Sequence, residues 1–177
     1  MKRRRRRKAH LWRGLSMAVA LILILTAGMC LRRWCVSAVR IAGTSMKDTL
    51  SDGDVVLVTR FDYLLGGKPQ RGDIVECVFP DREDTYIKRV VGLPGERLVF
   101  SDGLLTVDGR PVSEPYVSSF TEDFSVDLGI DEYFVLGDNR MESYDSRAAD
   151  MGAIDAEAFL GRVRLVVWPL SHFGVAV

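Results

Sequence analysis

The sequence predicts a mainly β protein in which one N-terminal transmembrane helix precedes a compact, barrel-like domain of antiparallel β-sheet. A charge-free apolar stretch near the N-terminus predicts the helix, and short β-branched runs separated by turn residues predict the sheet. The charged residues are also divided between an N-terminal region and the rest of the chain. Residues 1–40 carry eleven basic and no acidic side chains, although the whole chain has a net charge of zero. We expect a basic leader over 1–13, a membrane anchor over 14–31 and a folded outer domain over 36–177.

The anchor is predicted from the uncharged residues between Arg13 and Arg32, which are rich in Leu, Ile, Val and Ala. As a helix they reach about 27 Å, the thickness of a hydrocarbon core. Basic residues are more numerous before this stretch than after it, so the positive-inside rule predicts a cytoplasmic N-terminus and an extracytoplasmic domain in a single-pass membrane protein. A cleaved signal peptide is the alternative, but Met29 is large where a small residue should precede the cut.

The remaining chain is long enough for one hydrophobic core. Asp108-Gly109 suits a type I′ hairpin, and only 155–160 has a helical pattern. Many short strands at this spacing favour a small antiparallel barrel or folded sheet. Strands are predicted where β-branched and aromatic runs are bounded by Gly, Pro and Asp, at 54–59, 73–79, 85–91, 97–100, 104–107, 132–136 and 161–168.

The composition excludes several kinds of site. The two histidines, His10 and His172, lie near opposite ends of the chain, which argues against a Ser-His-Asp triad or a His-rich metal site. The three cysteines lack Cys-x-x-Cys spacing, which argues against a zinc module or a disulfide scaffold. The basic run abuts an apolar stretch and is therefore read as a topogenic signal, so we expect no nucleic-acid partner.

Ser45 and Lys88 are the first candidates for chemistry. Ser45 follows Gly43 on an irregular segment, where it is either a nucleophile or a turn serine with local hydrogen bonds. Strand alternation puts Lys88 on one face with Tyr86 and Val90. An apolar face lowers the pKa of a lysine and allows it to act as a general base, whereas at a sheet edge the amine would reach solvent.

The third candidate is the polar segment 137–147, which follows an apolar strand. Asp145 can pair there with Arg147 or Arg140, and either Ser143 or Ser146 can orient an amine. An ordinary surface loop is the alternative.

Together, these segments resemble the boxes of bacterial type I signal peptidases, the membrane-anchored Ser-Lys endopeptidases that remove signal peptides from exported proteins. The nucleophile box is matched by IAGTSMKDTL, the next strand box by RGDIVECVF, and the general-base box by YIKRVVGLPGE. The fourth box is matched by GDNRMESYDSR, and the likeness also takes in LLTVDGRPVSE. The boxes occur in the family's order and cover nearly all of residues 36–168.

The resemblance implies a role for each matched residue. Ser45 would be the nucleophile and Lys88 the general base, while Ser143 would position the Lys88 amine. Asp145 and Arg147 would form the supporting ion pair. The backbone N–H of Ser45 would donate to the oxyanion.

The resemblance also implies a shallow apolar pocket for small residues at the −1 and −3 positions of the substrate. Gram-negative members often carry a serine at the position of Gly43. Glycine at this position is the pattern of Gram-positive-type members. Asp48 replaces the family's proline, so the turn after Ser45 is less constrained. The matching pocket positions are Ile41, Met46, Leu50 and Ile87.

The function implied is cleavage of exported preproteins after small residues, at Ala-x-Ala-like sites, through an acyl-enzyme and without a metal or organic cofactor. We expect a monomer at the cell membrane whose partners are these preproteins and the lipid bilayer. One alternative is a homologue weakened at Asp48 that binds exported or surface proteins without cleaving them. A self-cleaving Ser-Lys repressor would need a DNA-binding domain where this sequence has an apolar stretch.

Overall fold

The computed structural model describes residues 16–29, 35–47, 49–64 and 66–176. The predicted leader, both ends of the predicted anchor and Asp48 lie outside these residues. The chain divides into two units, Met1–Val36 and Ser37–Val177, and we call the second the β domain. In the first unit residues 16–29 form a helix, α1, with all its side chains exposed. Within the described part of the chain, no helix combines the length and apolarity needed to cross a membrane.

The larger of two sheets in the β domain has seven strands, and its pairings from β2 onward are antiparallel. Its spatial order is β1-β2-β10-β3-β4-β9, and β11 pairs with β10. A short helix, α2 (Phe61–Leu64), follows β2. The strands are β1 (Val36–Arg40), β2 (Val55–Thr59), β3 (Ile74–Val78), β4 (Thr85–Gly92), β9 (Phe134–Leu136), β10 (Phe159–Trp168) and β11 (Gly174–Val175).

The smaller sheet has the order β7-β6-β5-β8 and is also antiparallel. Asp108 and Gly109 connect β6 to β7 with φ of 50° and 76°, so the predicted type I′ turn is confirmed. The strands are β5 (Arg97–Ser101), β6 (Leu104–Val107), β7 (Arg110–Val112) and β8 (Phe124–Asp127).

Each of the seven runs predicted as strands overlaps an observed strand, and the mainly β, antiparallel prediction is confirmed. The helical prediction over 155–160 holds only in part. A single 3-10 turn, Ala156–Ala158, is capped by the Asp155 carboxylate, which accepts from the N–H groups of Glu157 and Ala158. Phe159 then enters β10, because its ring packs against Tyr133 and Tyr63 in the core.

Consecutive residues of β4 point to opposite faces of the larger sheet, and each face has its own apolar cluster. The Lys88-face cluster contains Val75, Cys77, Phe79, Val90, Tyr133, Val135, Met151, Ile154 and Phe159. The Ile87-face cluster contains Ile41, Met46, Leu50, Val56, Val58, Ile74, Val163 and Val166, with Ile87 packed against them. A third cluster joins the two sheets through Val91, Leu98, Phe100, Leu105, Val107, Leu128, Phe134 and Leu136.

Candidate active site

Ser45 lies in a turn that follows β1, on a segment that we call the Ser45 loop (residues 41–50). Its start is fixed by a hydrogen bond from the Ile41 N–H to the Asp54 carbonyl, at 2.8 Å. Gly43 has a φ of +96°, the left-handed region that favours glycine, and it bends the chain just before Ser45. The serine is therefore presented on a turn and not within a strand.

Asn139 ties the Ser45 loop to the polar segment 137–147. Its backbone N–H donates to the Ser45 carbonyl at 3.0 Å, and its side-chain amide donates to the Thr44 carbonyl at 3.1 Å. Ser45 is half-buried, and neither its hydroxyl nor its N–H bonds to any residue that the structure describes. Both groups are available to a substrate. Sequence reasoning gave Asn139 no role, although it lies within the fourth box.

Lys88 lies inside β4, where it pairs across the sheet with Val75 of β3. It is 3% exposed, and its Nζ donates to Ser143 Oγ at 3.2 Å. Burial lowers the pKa of Lys88, and the neighbouring Asp145 carboxylate opposes that effect only in part. The amine is thus biased toward its neutral form, and it is not the solvent-reaching lysine that the sequence left open.

Asp145 is the acceptor around which the Ser143 region is organised. It accepts from the Gly137 N–H at 3.0 Å and from two guanidinium nitrogens of Arg147 at 2.8 and 2.9 Å. Burial alone raises the pKa of Asp145, but hydrogen bonds from Arg147, Ser143 and Gly137 outweigh it and hold the pKa below the usual carboxyl value. Asp145 therefore stays ionised and fixes the hydroxyl that meets Lys88.

Gly137 brings the Ser45 loop and Ser143 to one point. A Cβ on Gly137 would lie 2.2 Å from Ser143 Oγ and 2.4 Å from the Ser45 carbonyl oxygen, so only glycine fits between them. Lys88 contacts the same Ser143 hydroxyl. The structure thus gathers Ser45, Lys88 and Ser143, which come from three distant parts of the sequence.

The structure also decides between the partners that the sequence left open. Asp145 pairs with Arg147, whereas Arg140 pairs with Glu114 at 2.6 Å. Ser143 contacts Lys88, whereas Ser146 Oγ accepts from the Val135 N–H at 3.1 Å. Arg140 and Ser146 therefore anchor segment 137–147 to the rest of the β domain.

The buried ion pair of Arg89 with Asp138 was missed from the sequence. Arg89 donates to both oxygens of Asp138, at 2.9 and 2.8 Å, and Thr49 Oγ1 donates to the same carboxylate at 2.6 Å. The three residues join β4, segment 137–147 and the Ser45 loop. Strand alternation puts Arg89 on the face opposite Lys88, and this could be read from the sequence. Its partner could not, because Asp138 lies 49 residues away.

The four predicted pocket residues lie together in the Ile87-face cluster. Ile41, Met46 and Leu50 are 5%, 1% and 1% exposed and so belong to the core. Ile87 is half-buried and is the member most open to a substrate.

No group of three or more His, Cys, Asp or Glu side chains within the described ranges could hold a metal ion. Cys35 and Cys77 are free thiols, and Cys77 is buried in the Lys88-face cluster.

Known proteins of one family are similar to this chain. The family described as signal peptidase, peptidase S26, matches residues 14–168. Signal peptidase IB of Staphylococcus aureus is 34% identical over 179 residues, which cover 90% of each chain. Signal peptidase I of Bacillus licheniformis is 34% identical over 165 residues, covering 86% of this chain and 88% of the relative.

A solved structure is similar as well. The crystal structure of a signal peptidase I from Enterococcus faecalis V583 matches with a TM-score of 0.50 and 33% identity, over 54% of this chain and 96% of that one. The resemblance stated from the four sequence boxes is confirmed by these matches. The chain belongs to the signal peptidase family, peptidase S26, a family of serine endopeptidases.

Proposed function

We propose that this chain is a type I signal peptidase that cleaves exported preproteins after small residues, with Ser45 as nucleophile and Lys88 as general base. The activity is supported by the family and by relatives named signal peptidase I and IB. One observation carries the assignment of roles: the buried Lys88 amine contacts Ser143, whose hydroxyl lies beside the Ser45 loop across Gly137.

The reaction starts with a proton transfer. Neutral Lys88 takes the hydroxyl proton of Ser45 while Ser45 Oγ attacks the scissile carbonyl carbon. Lys88 Nζ donates one N–H to Ser143, which turns its lone pair away from that serine and toward Ser45. The protonated Lys88 then gives its proton to the leaving amine as the C–N bond breaks, leaving an acyl-enzyme. A water deprotonated by Lys88 hydrolyses the ester and releases Ser45.

The charge that develops on the carbonyl oxygen needs hydrogen-bond donors. The Ser45 N–H is available for it, and Gly43 offers no hydroxyl. In comparable hydrolases one such donor accounts for about 3 kcal/mol of transition-state stabilisation.

The substrate would add as a strand to the open edge of β4. β9 covers that edge only at Arg89–Gly92, so the described strands leave Thr85–Lys88 unpaired there. An extended peptide paired at this edge places alternate side chains on the same face of the sheet. Its −1 and −3 residues would face the Ile87 side while its scissile carbonyl meets Ser45 and Lys88.

Residues 14–31 would anchor the enzyme in the membrane, with 1–13 in the cytoplasm and 36–177 outside. Signal peptidases of type I are typically membrane-anchored, and α1 is apolar around its whole circumference, a pattern typical of helices surrounded by lipid or protein. The side chains concerned are Met17, Val19, Leu21, Ile22, Leu23, Ile24, Leu25 and Met29. Strong basic asymmetry across this stretch supports the orientation.

The test is cleavage of a precursor with an Ala-x-Ala site by the full chain in detergent. We expect Ser45→Ala and Lys88→Ala each to lower kcat by at least about 10³-fold, because they act as a unit. Ser101→Ala and Lys68→Ala, at exposed positions of the β domain, should retain full activity. Normal cleavage by either dyad variant would refute the proposed roles. A wild-type chain that binds the precursor but releases no product would support the non-cleaving alternative.

A further inference from the structure

Asp54 holds both ends of the Ser45 loop. Its carbonyl oxygen accepts from the N–H of Ile41, the first residue of the loop, at 2.8 Å. Its carboxylate Oδ2 accepts from the N–H of Ser51, the residue just after the loop, at 2.9 Å. One residue therefore sets both where the chain enters the loop and where it leaves it. We call Ile41, Ser51 and Asp54 the loop base.

The other carboxylate oxygen of Asp54 is held by a residue from the far end of the chain. His172 Nδ1 lies 3.0 Å from Asp54 Oδ1. A carboxylate oxygen accepts hydrogen bonds, so Nδ1 is a ring nitrogen that carries a proton. The Asp54 side chain is 3% exposed, and no arginine or lysine in the described part of the chain forms an ion pair with it. Among the described side chains, His172 is thus the one that pairs with this buried carboxylate.

The fold brings the C-terminal end of the chain to the loop base. Trp168, the last residue of β10, pairs with Val55 of β2, which directly follows Asp54. A 3-10 turn, Leu170–His172, comes next, and β11 then runs back along β10 in antiparallel pairing. The histidine therefore lies between the end of β10 and a strand that is paired with β10. Its side chain is 49% exposed, but both flanking segments are fixed to the larger sheet.

We propose that His172 is a positioning residue for the reaction at Ser45, which it supports by holding Asp54 and, through Asp54, the loop base. The inference rests on the proposed function, since it takes Ser45 as the nucleophile. A buried carboxylate that loses its partner is costly and turns toward water. The Ser51 N–H would then lose its acceptor, and the end of the loop could shift. The loop would present Ser45 to Lys88 for a smaller fraction of the time.

A histidine beside an aspartate also suggests the orienting pair of a Ser-His-Asp triad. Two observations favour the positioning role instead. No hydrogen bond joins His172 to Ser45 in the part of the chain that the structure describes. Asp54 also bonds to both ends of the loop that carries the nucleophile, which an aspartate that only orients a general base need not do. A positioning histidine can be replaced by another N–H donor, whereas a general base cannot.

The experiment measures kcat and KM for the full chain in detergent, with a precursor that carries an Ala-x-Ala site. His172→Ala removes the donor, and we expect kcat to fall about tenfold through misplacement of Ser45. KM should stay unchanged, because the precursor would bind at the edge of β4. His172→Asn puts an amide N–H close to the position of Nδ1 and should keep kcat within about twofold of wild type. Ser171→Ala, at an exposed position of the same turn, is the matched control and should leave both constants unchanged.

A double substitution tests whether His172 acts through Asp54. Asp54→Ala should lower kcat at least as much as His172→Ala does, because it removes the acceptor of both contacts. Adding His172→Ala to Asp54→Ala should then lower kcat by less than about twofold, since the shared contact is already lost. Losses that multiply would mean that His172 acts by another route and would overturn the inference. If Asp54→Ala does not fold, the values for His172→Ala and His172→Asn still decide.

Three results for the single variants also overturn the inference and leave the signal peptidase activity standing. These are an unchanged kcat in His172→Ala, a raised KM with kcat retained, and a kcat in His172→Asn as low as in His172→Ala. Losses in both variants as large as in Lys88→Ala would be the third of these in its extreme form, the behaviour of a general base. A wild-type chain that cleaves no precursor refutes the proposed function instead.

Discussion

The two aspartates of segment 137–147 each form a buried ion pair, and the two pairs differ in how far they reach along the chain. Asp138 bonds Arg89, 49 residues away, and Thr49, 89 residues away, and so connects the Ser45 loop with β4. Asp145 bonds Arg147, two residues away, and so folds the segment on itself around Ser143. One carboxylate sets the distance between the parts of the site, and the other sets the orientation of a single hydroxyl.

The pairs also differ in their access to water. The Arg89 and Asp138 side chains are 3% and 1% exposed, whereas Arg147 is 20% exposed. An arginine that loses its partner can rehydrate at the second site but not at the first. Breaking a fully buried pair leaves an uncompensated charge, which is far more destabilising than the loss of an exposed pair. Stability should therefore depend chiefly on Asp138, and the properties of Lys88 chiefly on Asp145.

The largest effect should come from Asp138→Ala. We expect it to lower the free energy of unfolding by about 3–5 kcal/mol, since Arg89 is left buried and unpaired. Urea unfolding of the full chain measures this. Asp127→Ala removes the exposed partner of Arg97 and should change the value by less than about 1 kcal/mol. Equal losses in the two variants would contradict the distinction between the pairs.

Gly137→Ala tests the point at which the two ion-pair regions meet. A methyl group there must displace the Ser143 hydroxyl or the Ser45 carbonyl. We expect kcat to fall about 100-fold, the usual penalty for misplacing reacting groups by about 1 Å. Gly174→Ala, with no atom within 4 Å of the added carbon, is the control. Retained activity in Gly137→Ala would show that the close approach is not needed for catalysis.

The separation along the chain between the two members of each ion pair explains which pair could be predicted from the sequence. A run of five residues contains Ser143, Asp145 and Arg147. This single polar segment therefore indicates that they associate. Arg89 and Asp138 are separated by the whole smaller sheet and by β9, and a pattern along the chain does not show which distant side chains will meet. The ion pair of Glu76 in β3 with Arg60, which follows β2, was missed for the same reason.

Prediction of the fold from the sequence is limited in the same way. Seven strands were predicted where β-branched runs and turn residues are both present, and the Asp108-Gly109 hairpin was predicted from its turn chemistry. β1, β7, β8 and β11 were not predicted, since they are short edge or peripheral strands without an apolar run. The order of strands in the larger sheet depends on long-range pairing, such as β10 between β2 and β3, which no local pattern encodes.

Asp145→Asn should have a smaller effect on stability but a larger one on pH dependence. We expect a loss of about 1–3 kcal/mol, because Arg147 and the Gly137 N–H lose a charged acceptor. Since the pKa of Asp145 is lowered in the folded state, its contribution is present above the usual carboxyl pKa and fades as pH falls through the folded value. The stability deficit of the variant should therefore shrink in acid.

The activity profile of the same variant should move as well. The Asp145 carboxylate raises the pKa of Lys88, so its removal lowers that pKa further. Because catalysis needs neutral Lys88, the rising limb of kcat/KM against pH should shift to lower pH. Asp138→Asn should shift it in the same direction but less, because Asp138 contributes less to the Lys88 pKa. A larger shift for Asp138→Asn would reverse the assignment of roles.

Thr49→Val should have the smallest effect, and it tests the connection that Asp138 makes to the Ser45 loop. It removes one hydrogen bond between the Ser45 loop and Asp138 while the Arg89 pair stays intact. We expect a stability loss of about 1 kcal/mol. If the bond positions Ser45, kcat should fall by more than that loss of stability explains, with KM unchanged. Thr106→Val, which removes a 3.4 Å contact to the Val99 carbonyl in the smaller sheet, should leave kcat unaltered. Equal kcat values for Thr49→Val and Thr106→Val would mean that Asp138 contributes to stability and not to catalysis. Asp145 would then be the aspartate of segment 137–147 that affects catalysis.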